Sequence, residues 1–372
     1  MGDRRQRNAD VRGGESQLDD FRDRAALGGR DRPQHGRVTS GARPVGIAFL
    51  GCGAVTRAHT RTLRAIDGQV RLYYASRDAA RAAELNRVSN GDGAFAGYGA
   101  ALEDPRVDAV LVATPPAFHL EWTLRALEAG KHVIVEKPPF PRATDFAAVD
   151  AAARKASRQV MVAENYFYKP VLRALRDMVR EGTVGQPRFL DIKALKTQRT
   201  QDWRDDPTLA GGGALYEGGI HWIDFLANLG LDVVSIEGFQ PGQRAGLERE
   251  MLIVARYAQG AIGVLFFSWN VPSLLKGVRL SRIYGTEGTI RFESNGLFIL
   301  ALGKRRRLRF PGLRDLTGTR AMFRDFLGAL RENRPPEFTL ALARRDLELV
   351  EAVYRSAERP PSPQSFTSSQ GF

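Results

Sequence analysis

With 372 residues, 43% of them hydrophobic and 26% charged, the chain is long enough for two cores and too polar for a membrane-embedded protein. No apolar run approaches the roughly 18 residues that a membrane helix needs. The one cysteine, Cys52, excludes an intrachain disulfide framework and fits a reducing, cytoplasmic address. The net charge of +13 comes mostly from arginines scattered along the whole chain with few aromatics between them, which speaks against a nucleic-acid surface.

Residues 1–43 are rich in Arg, Asp, Gly and Gln without apolar periodicity, so they read as a disordered tail, and nothing behind Arg4 and Arg5 resembles a secretory signal. From Pro44 strands alternate with helical patterns. "VGIAFLG" is a buried strand, a helix follows over about 55–66, and "VRLYYAS" is a second strand. "AARAAELNRV" (helix), "VDAVLVAT" (strand), "FHLEWTLRALEAG" (helix), "HVIVEK" (strand), "DFAAVDAAARKAS" (helix) and "QVMVAE" (strand) continue the alternation. Such a repeat predicts an α/β domain over 44–165, a Rossmann-type doubly wound parallel sheet covered on both faces. The second half, 166–360, predicts an α+β domain. A helix at about 170–181 precedes long strands punctuated by Gln259-Gly260, Glu287-Gly288 and Asn295-Gly296, the turn signals of a large, open, mostly antiparallel sheet. The basic run from Gly303 to Arg314 reads as a solvated strand and loop. A last helix at about 340–358 is expected to pack back across the domains, and 361–372 reads as a loose tail.

"GIAFLGCGAVTRAH" puts Gly51 and Gly53 between an apolar strand and a helix, with Ala54 and Val55 opening the helix. The first glycine permits the tight turn, the second lets a pyrophosphate approach the backbone, and the helix N-terminus offers unpaired N–H groups to its charge. Thr56 stands where the strict fingerprint has Gly or Ala, an expected loosening of helix packing, and Cys52 is a small residue beside the phosphate rather than a reactive one. At the end of the second strand the chain has Ser76 and Arg77 where an NAD site presents a carboxylate, so NADP(H) is expected in preference to NAD(H), with Asp78 capping the next helix. In "KHVIVEKPPF" Lys137 ends a parallel strand, in the crevice where open α/β sheets bind ligands, and Pro138 and Pro139 stiffen the chain after it; the Lys137–Pro138 peptide is a candidate cis bond.

In "GGGALYEGGIHWIDF", helical spacing puts Glu217, His221 and Asp224 on one face. An imidazole there can exchange a proton with a substrate oxygen, and the sequence leaves open whether Glu217 meets His221, the substrate or solvent. Thr114, Pro115 and His119 follow another strand end, where the backbone can line the cofactor; Trp203 and Arg204 precede the glycine run; Tyr166, Tyr168 and Lys169 are candidates for the pocket wall. No spacing suits zinc, and neither G-x-S-x-G nor a P-loop lysine occurs, so no metal is expected.

The glycine loop with His59 downstream, "VATPPAFHLEWTLRALEAGKHVIVEKPPF", "VAENYFYKP", "GGGALYEGGIHWIDF" and "RDLELVEAVYRSA" together resemble the glucose–fructose oxidoreductase, inositol dehydrogenase and rhizopine-catabolism family, Gfo/Idh/MocA, over about residues 44–360. The resemblance implies a nicotinamide-dependent dehydrogenase or reductase acting on a hydroxyl or ketone carbon of a sugar, cyclic polyol or related compound. By the same resemblance Lys137 approaches the substrate oxygen, Glu136 orders the cofactor ribose, His221 has the position of the proton-exchanging residue, and subunits join as dimers or tetramers through the second sheet; Tyr166 and Asp224 are the residues expected to meet the substrate. Many members have Asp where this chain has Glu217. An NAD-assisted glycoside hydrolase and a non-catalytic ligand sensor of the same fold are the alternatives.

Overall fold

Val45–Leu50 form β1, an apolar run buried along almost its whole length, as a central parallel strand requires. In the computed structural model, which describes residues 43–66, 70–242, 246–273, 277–304, 306–313 and 315–358, the alternation foreseen from the sequence follows in order. The two expected tails lie outside the described residues, apart from Arg43. After β1 come α1 (Ala54–Arg64), β2 (Val70–Ser76), α2 (Ala79–Val88), β3 (Gly93–Ala96), α3 (Tyr98–Glu103), β4 (Ala109–Val112), α4 (His119–Glu128), β5 (His132–Val135), α5 (Phe146–Ala156) and β6 (Val160–Val162). These six strands form a parallel sheet in the order β3-β2-β1-β4-β5-β6. The order reverses between β1 and β4, so the carboxyl ends of those strands open a crevice. The short β3 and α3 were not foreseen, since four residues alternating between half-buried and exposed give little periodic signal.

Beyond α6 (Pro170–Arg180) come β7 (Pro187–Leu195), the four-residue α7 (Pro207–Ala210), α8 (Ile220–Ala227), β8 (Val233–Phe239), β9 (Glu250–Tyr257), β10 (Ile262–Ser268), β11 (Leu280–Gly285), β12 (Gly288–Glu293), β13 (Ile299–Leu302) and β14 (Arg306–Arg309). Among the described residues they build an eight-stranded sheet in the order β14-β13-β12-β11-β7-β10-β9-β8, antiparallel except where β7 meets β10. One face carries α8, where Phe225 stacks on Phe292 of β12 and the Tyr257 hydroxyl of β9 donates to the Leu226 carbonyl. The other leaves Phe189 and Phe266 exposed. Two helices close the chain, α9 (Thr319–Glu332), which the sequence reading missed, and α10 (Leu340–Ala357). The last helix, α10, lies on β8 and α8 and reaches α5 and the turn before it, where Glu351 accepts the Ala143 N–H at 2.8 Å. No helix among the described residues is long and apolar enough to cross a membrane.

Candidate active site

At the end of β1 the backbone turns through Gly51 at φ +118°, where a Cβ would sit 2.5 Å from the Ala113 carbonyl oxygen, so only glycine fits. A Cβ at Gly53 would meet nothing within 4 Å, which leaves that backbone open to the crevice. Gly53 is also the N-cap of α1 and supplies no side-chain cap, so the first N–H groups of the helix keep their donors. Thr56 is a correction to the sequence reading. It is fully buried, and its hydroxyl donates to the Gly51 carbonyl at 2.7 Å, which ties the loop to the helix rather than loosening it.

From this loop runs a cleft of about 840 Å³. It brings together Gly51, Gly53, Ala54 and Val55 at one wall and Ser76 with Arg77 at the end of β2; Thr114, Pro115 and His119 border β4, and Glu136, Lys137, Trp203, Arg204 and Glu217 stand at the far end. Asp78 also borders the cleft, and its carboxylate caps α2, accepting from the Ala80 and Arg81 N–H groups at 3.0 and 3.2 Å. Arg81 and Tyr98 join Arg77 at this end, two residues the sequence reading passed over. Cys52 is buried with its thiol toward the Ala75 carbonyl, and burial pushes its pKa up.

Two buried contacts brace the middle of the cleft. His119 spans from the Thr114 carbonyl (2.8 Å) to the Pro138 carbonyl (2.9 Å), and burial lowers its pKa, so a neutral ring donates to one of them at a time. It fastens the end of β4 to the residues after Lys137, whose peptide bond to Pro138 is cis. Glu136 is paired with His59 of α1; burial opposes its ionisation, and His59 and Lys137 outweigh that and hold its pKa low.

The far end of the cleft carries Lys137, Arg204 and Glu217, whereas His221 and Tyr166 are not among the residues that line it. Lys137 donates to the Glu217 carbonyl at 2.7 Å and to its carboxylate at 3.1 Å, and Arg204 Nε reaches the same carboxylate oxygen at 3.3 Å. Burial works against the Glu217 charge, but the two cations prevail and bring its pKa down to about 2. Sequence spacing left the partner of Glu217 open; it is Lys137 and Arg204. His221 instead pairs with Glu164, Nδ1 to Oε1 at 2.6 Å. A carboxylate only accepts, so Nδ1 carries a proton, and in the neutral ring that leaves the lone pair on Nε2. Tyr166 stacks on the imidazole at 4.4 Å between ring centroids.

Three expectations about this end need correction. Residues Leu215–Gly219 are a π-helical turn, so the shared face assumed for Glu217 and His221 is broken there. Asp224 is fully buried and faces Asp346 of α10; burial and that second carboxyl raise its pKa, and it does not line the cleft. Tyr168 is equally buried, with its hydroxyl donating to Asp325 at 2.8 Å and accepting from the Phe338 N–H, a packing role. Beyond Glu164, the sequence reading also missed Lys196 at the end of β7, whose ammonium lies 5.6 Å from the Trp269 ring centroid and is brought down to about 8 by burial. Nothing local marks either residue, since each acquires its neighbours from elsewhere in the chain. Among the described residues no group of three or more His, Cys, Asp or Glu could hold a metal ion.

The chain is similar to known proteins. Residues 45–164 match the family described as "Oxidoreductase family, NAD-binding Rossmann fold", and residues 172–291 match the GFO/IDH/MocA C-terminal domain. The chain is 39% identical over 151 residues, 38% of its own length and 43% of the other protein, to a dTDP-3,4-didehydro-2,6-dideoxy-alpha-D-glucose 3-reductase of Streptomyces violaceoruber. It is 36% identical over 48% of its length to the reductase of the same name from Saccharopolyspora spinosa, of which the match covers 54%; the matches thus span about half the length of these relatives. A levoglucosan dehydrogenase of Pseudarthrobacter phenanthrenivorans is 26% identical over 66% of this chain and 73% of its own. Among solved structures, a levoglucosan dehydrogenase in complex with NADH and levoglucosan superposes with a TM-score of 0.76 at 22% identity, covering 85% of this chain and 97% of the other, a likeness of fold.

Proposed function

The chain belongs to the Gfo/Idh/MocA oxidoreductase family, and we propose that it moves a hydride between a nicotinamide cofactor and a hydroxyl or ketone carbon of a sugar, cyclic polyol or related compound. The observation that carries this reading is the far end of the cleft, where the Lys137 ammonium, just after β5, lies 3.1 Å from the Glu217 carboxylate; His221 of α8, which is not among the residues lining the cleft, is paired with Glu164 at the end of β6. The residues fit a dinucleotide. Gly53 leaves the backbone open, α1 presents uncapped N–H groups to a pyrophosphate, and Glu136 is an ionised acceptor in reach of a ribose. A bound nicotinamide supplies a two-electron hydride donor or acceptor at its C4 carbon.

The chain's own residues then manage the oxygen. Lys137, fixed by Glu217, is a donor aimed at a carbonyl or hydroxyl oxygen, where it stabilises the charge that develops as the C–O bond order changes. His221 Nε2 takes the hydroxyl proton in the oxidative direction as the carbon gives up its hydride, and Glu164 stabilises the imidazolium that forms; in the reductive direction the same proton returns to the oxygen. Among cofactors we read NADP(H) as preferred, because Ser76 and Arg77 stand at the end of β2 with Arg81 nearby in the cleft wall, and the one carboxylate beside them, Asp78, is occupied in capping α2. The sugar-like substrate class is supported by the relatives named as sugar reductases and dehydrogenases. The exposed Phe189 and Phe266 on the second sheet support a homodimer or homotetramer built on that face, and the single cysteine supports a cytoplasmic address.

Nicotinamide absorbance, followed with both cofactors against a panel of sugars, inositols and sugar nucleotides, tests the reading. Turnover with at least one member is expected, and Lys137→Ala is expected to lower it by about 100-fold or more while cofactor still binds. Glycoside cleavage with tightly held, unconsumed cofactor would establish hydrolysis instead, and ligand binding with no chemistry would establish a sensor.

A further inference from the structure

Asp224 of α8 and Asp346 of α10 are 0% and 1% exposed, and their carboxyls are in hydrogen-bonding contact. One oxygen of each has a donor. Asp224 Oδ1 accepts from the Asn228 side-chain amide at 2.7 Å, and Asp346 Oδ1 accepts from Arg345 Nε and Nη2 at 3.0 and 2.6 Å. The two Oδ2 atoms are also buried, and among the described residues no donor reaches either of them. Ionised together, the aspartates would press acceptor against acceptor in the protein interior, with two like charges at contact distance.

The surrounding charges do not remove that conflict. Arg345 supplies one positive charge by direct contact, enough for one carboxylate. Arg176 of α6 also acts on Asp224, but without a hydrogen bond to it, since its Nε donates to the Asn228 carbonyl at 2.7 Å. Lys137 borders a small cavity together with Asp346 and Glu164, yet it is engaged by Glu217. Glu164 at the end of β6 adds a third negative charge, which acts on both aspartates and is paired with His221, three residues before Asp224 on α8. Burial and the neighbouring carboxylates raise the pKa of both aspartates, Asp346 to about 6 and Asp224 well above the ordinary carboxylate range.

One proton satisfies every oxygen, and the hydrogen bonds decide which residue carries it. On Asp224 Oδ2 it is donated to Asp346 Oδ2, Asp224 Oδ1 keeps the amide of Asn228, and the charge that remains on Asp346 faces Arg345. On Asp346 it would leave Arg345 bonding a neutral acid, with the charge on Asp224 facing only a neutral amide. We infer that at neutral pH Asp224 is a protonated acid that donates to ionised Asp346, a single-proton clasp that fastens the helix bearing His221 to the closing helix and weakens as the proton is lost at higher pH. The sign follows from linkage: the folded chain holds this proton and the unfolded chain does not, so the clasp's contribution is fully present below about pH 4 and declines as pH rises through the folded-state titration.

Infrared spectra of the full chain, with and without aspartate isotope-labelled at its side-chain carboxyl, read the proton directly. A protonated-carboxyl C=O band that shifts with the label is expected at pH 7, and it should be missing from Asp224→Asn. That variant copies the acid, because its amide can donate to Asp346 while its oxygen still accepts from Asn228. In urea unfolding from about pH 6 to about pH 7.5, the parent protein should lose stability relative to Asp224→Asn by about tenfold in the folding equilibrium constant per pH unit, the signature of one proton. Asp346→Asn should be the less stable of the two variants at pH 7, because it sets Arg345 against a neutral amide. No label-sensitive band in the parent protein, a band that survives in Asp224→Asn, the same pH dependence of stability in both, or an Asp346→Asn variant as stable as Asp224→Asn would each overturn the inference. The infrared measurement on the parent protein decides the matter even where a variant does not fold, and no readout depends on hydride transfer.

Discussion

Replacing Glu217 by Gln probes the ion cluster at the junction of the two halves. The carboxylate is mostly buried, meets Lys137 at 3.1 Å and Arg204 at 3.3 Å, and titrates near 2 instead of the usual 4.5. At about 1.4 kcal/mol per pKa unit, its charge contributes on the order of 3 kcal/mol to folding at neutral pH. Gln keeps an acceptor but not the charge, so Glu217→Gln should destabilise the protein by about 2–3 kcal/mol at pH 7, with Lys137 and Arg204 left facing a neutral amide. The folded-state pKa lies below the unfolded one, so the contribution is fully present above about pH 4.5 and is lost as pH falls through about 2. Urea unfolding of both proteins at pH 7, 5 and 3 should accordingly give a gap that is constant between 7 and 5 and shrinks by about half at pH 3. A variant as stable as the parent at pH 7, or a gap that is no smaller at pH 3, would refute the assignment of this charge to the pairing.

Other consequences can be measured independently. Glu164→Gln removes the carboxylate that fixes the His221 tautomer, and should cut kcat by about 100-fold or more with little change in melting temperature or cofactor affinity; unchanged kcat would show that the imidazole is not the proton carrier. Arg77→Ala should weaken NADP(H) by roughly 1.5–3 kcal/mol and leave NAD(H) nearly untouched, and equal affinities of the parent protein for both cofactors at matched ionic strength would remove the basis for that preference. Light scattering at micromolar concentration should find an oligomer that Phe189→Asp with Phe266→Asp dissociates, and a monomeric parent protein would discard the sheet-mediated assembly.

The parts of this protein that are written locally were legible in the sequence. Strands such as Val45–Leu50 are short apolar runs bounded by glycine, and the loop through Gly51 and Gly53 needs residues without side chains, so both can be recognised without knowing what surrounds them. The hairpins at Gln259-Gly260 and Glu287-Gly288 are likewise set by turn chemistry, and α10 by helical periodicity. Partnerships between distant residues were not legible. The carboxylate that holds His221 is Glu164, 57 positions away at the end of β6, rather than Glu217 four positions away. Sequence spacing assumes a regular α-helix, whereas the π-turn at Leu215–Gly219 changes the rotation per residue, and Glu217 pairs across the cleft with Lys137 at 80 positions' remove. Asp224 shows the same limit from the other side. Its helical position matched that of a cleft residue, but α10 packs over that face of α8 and buries it against Asp346, 122 positions later in the chain. Periodicity fixes which residues share an element; only the packing of elements against one another decides which charged groups meet, because that depends on contacts the chain makes after it has folded back on itself.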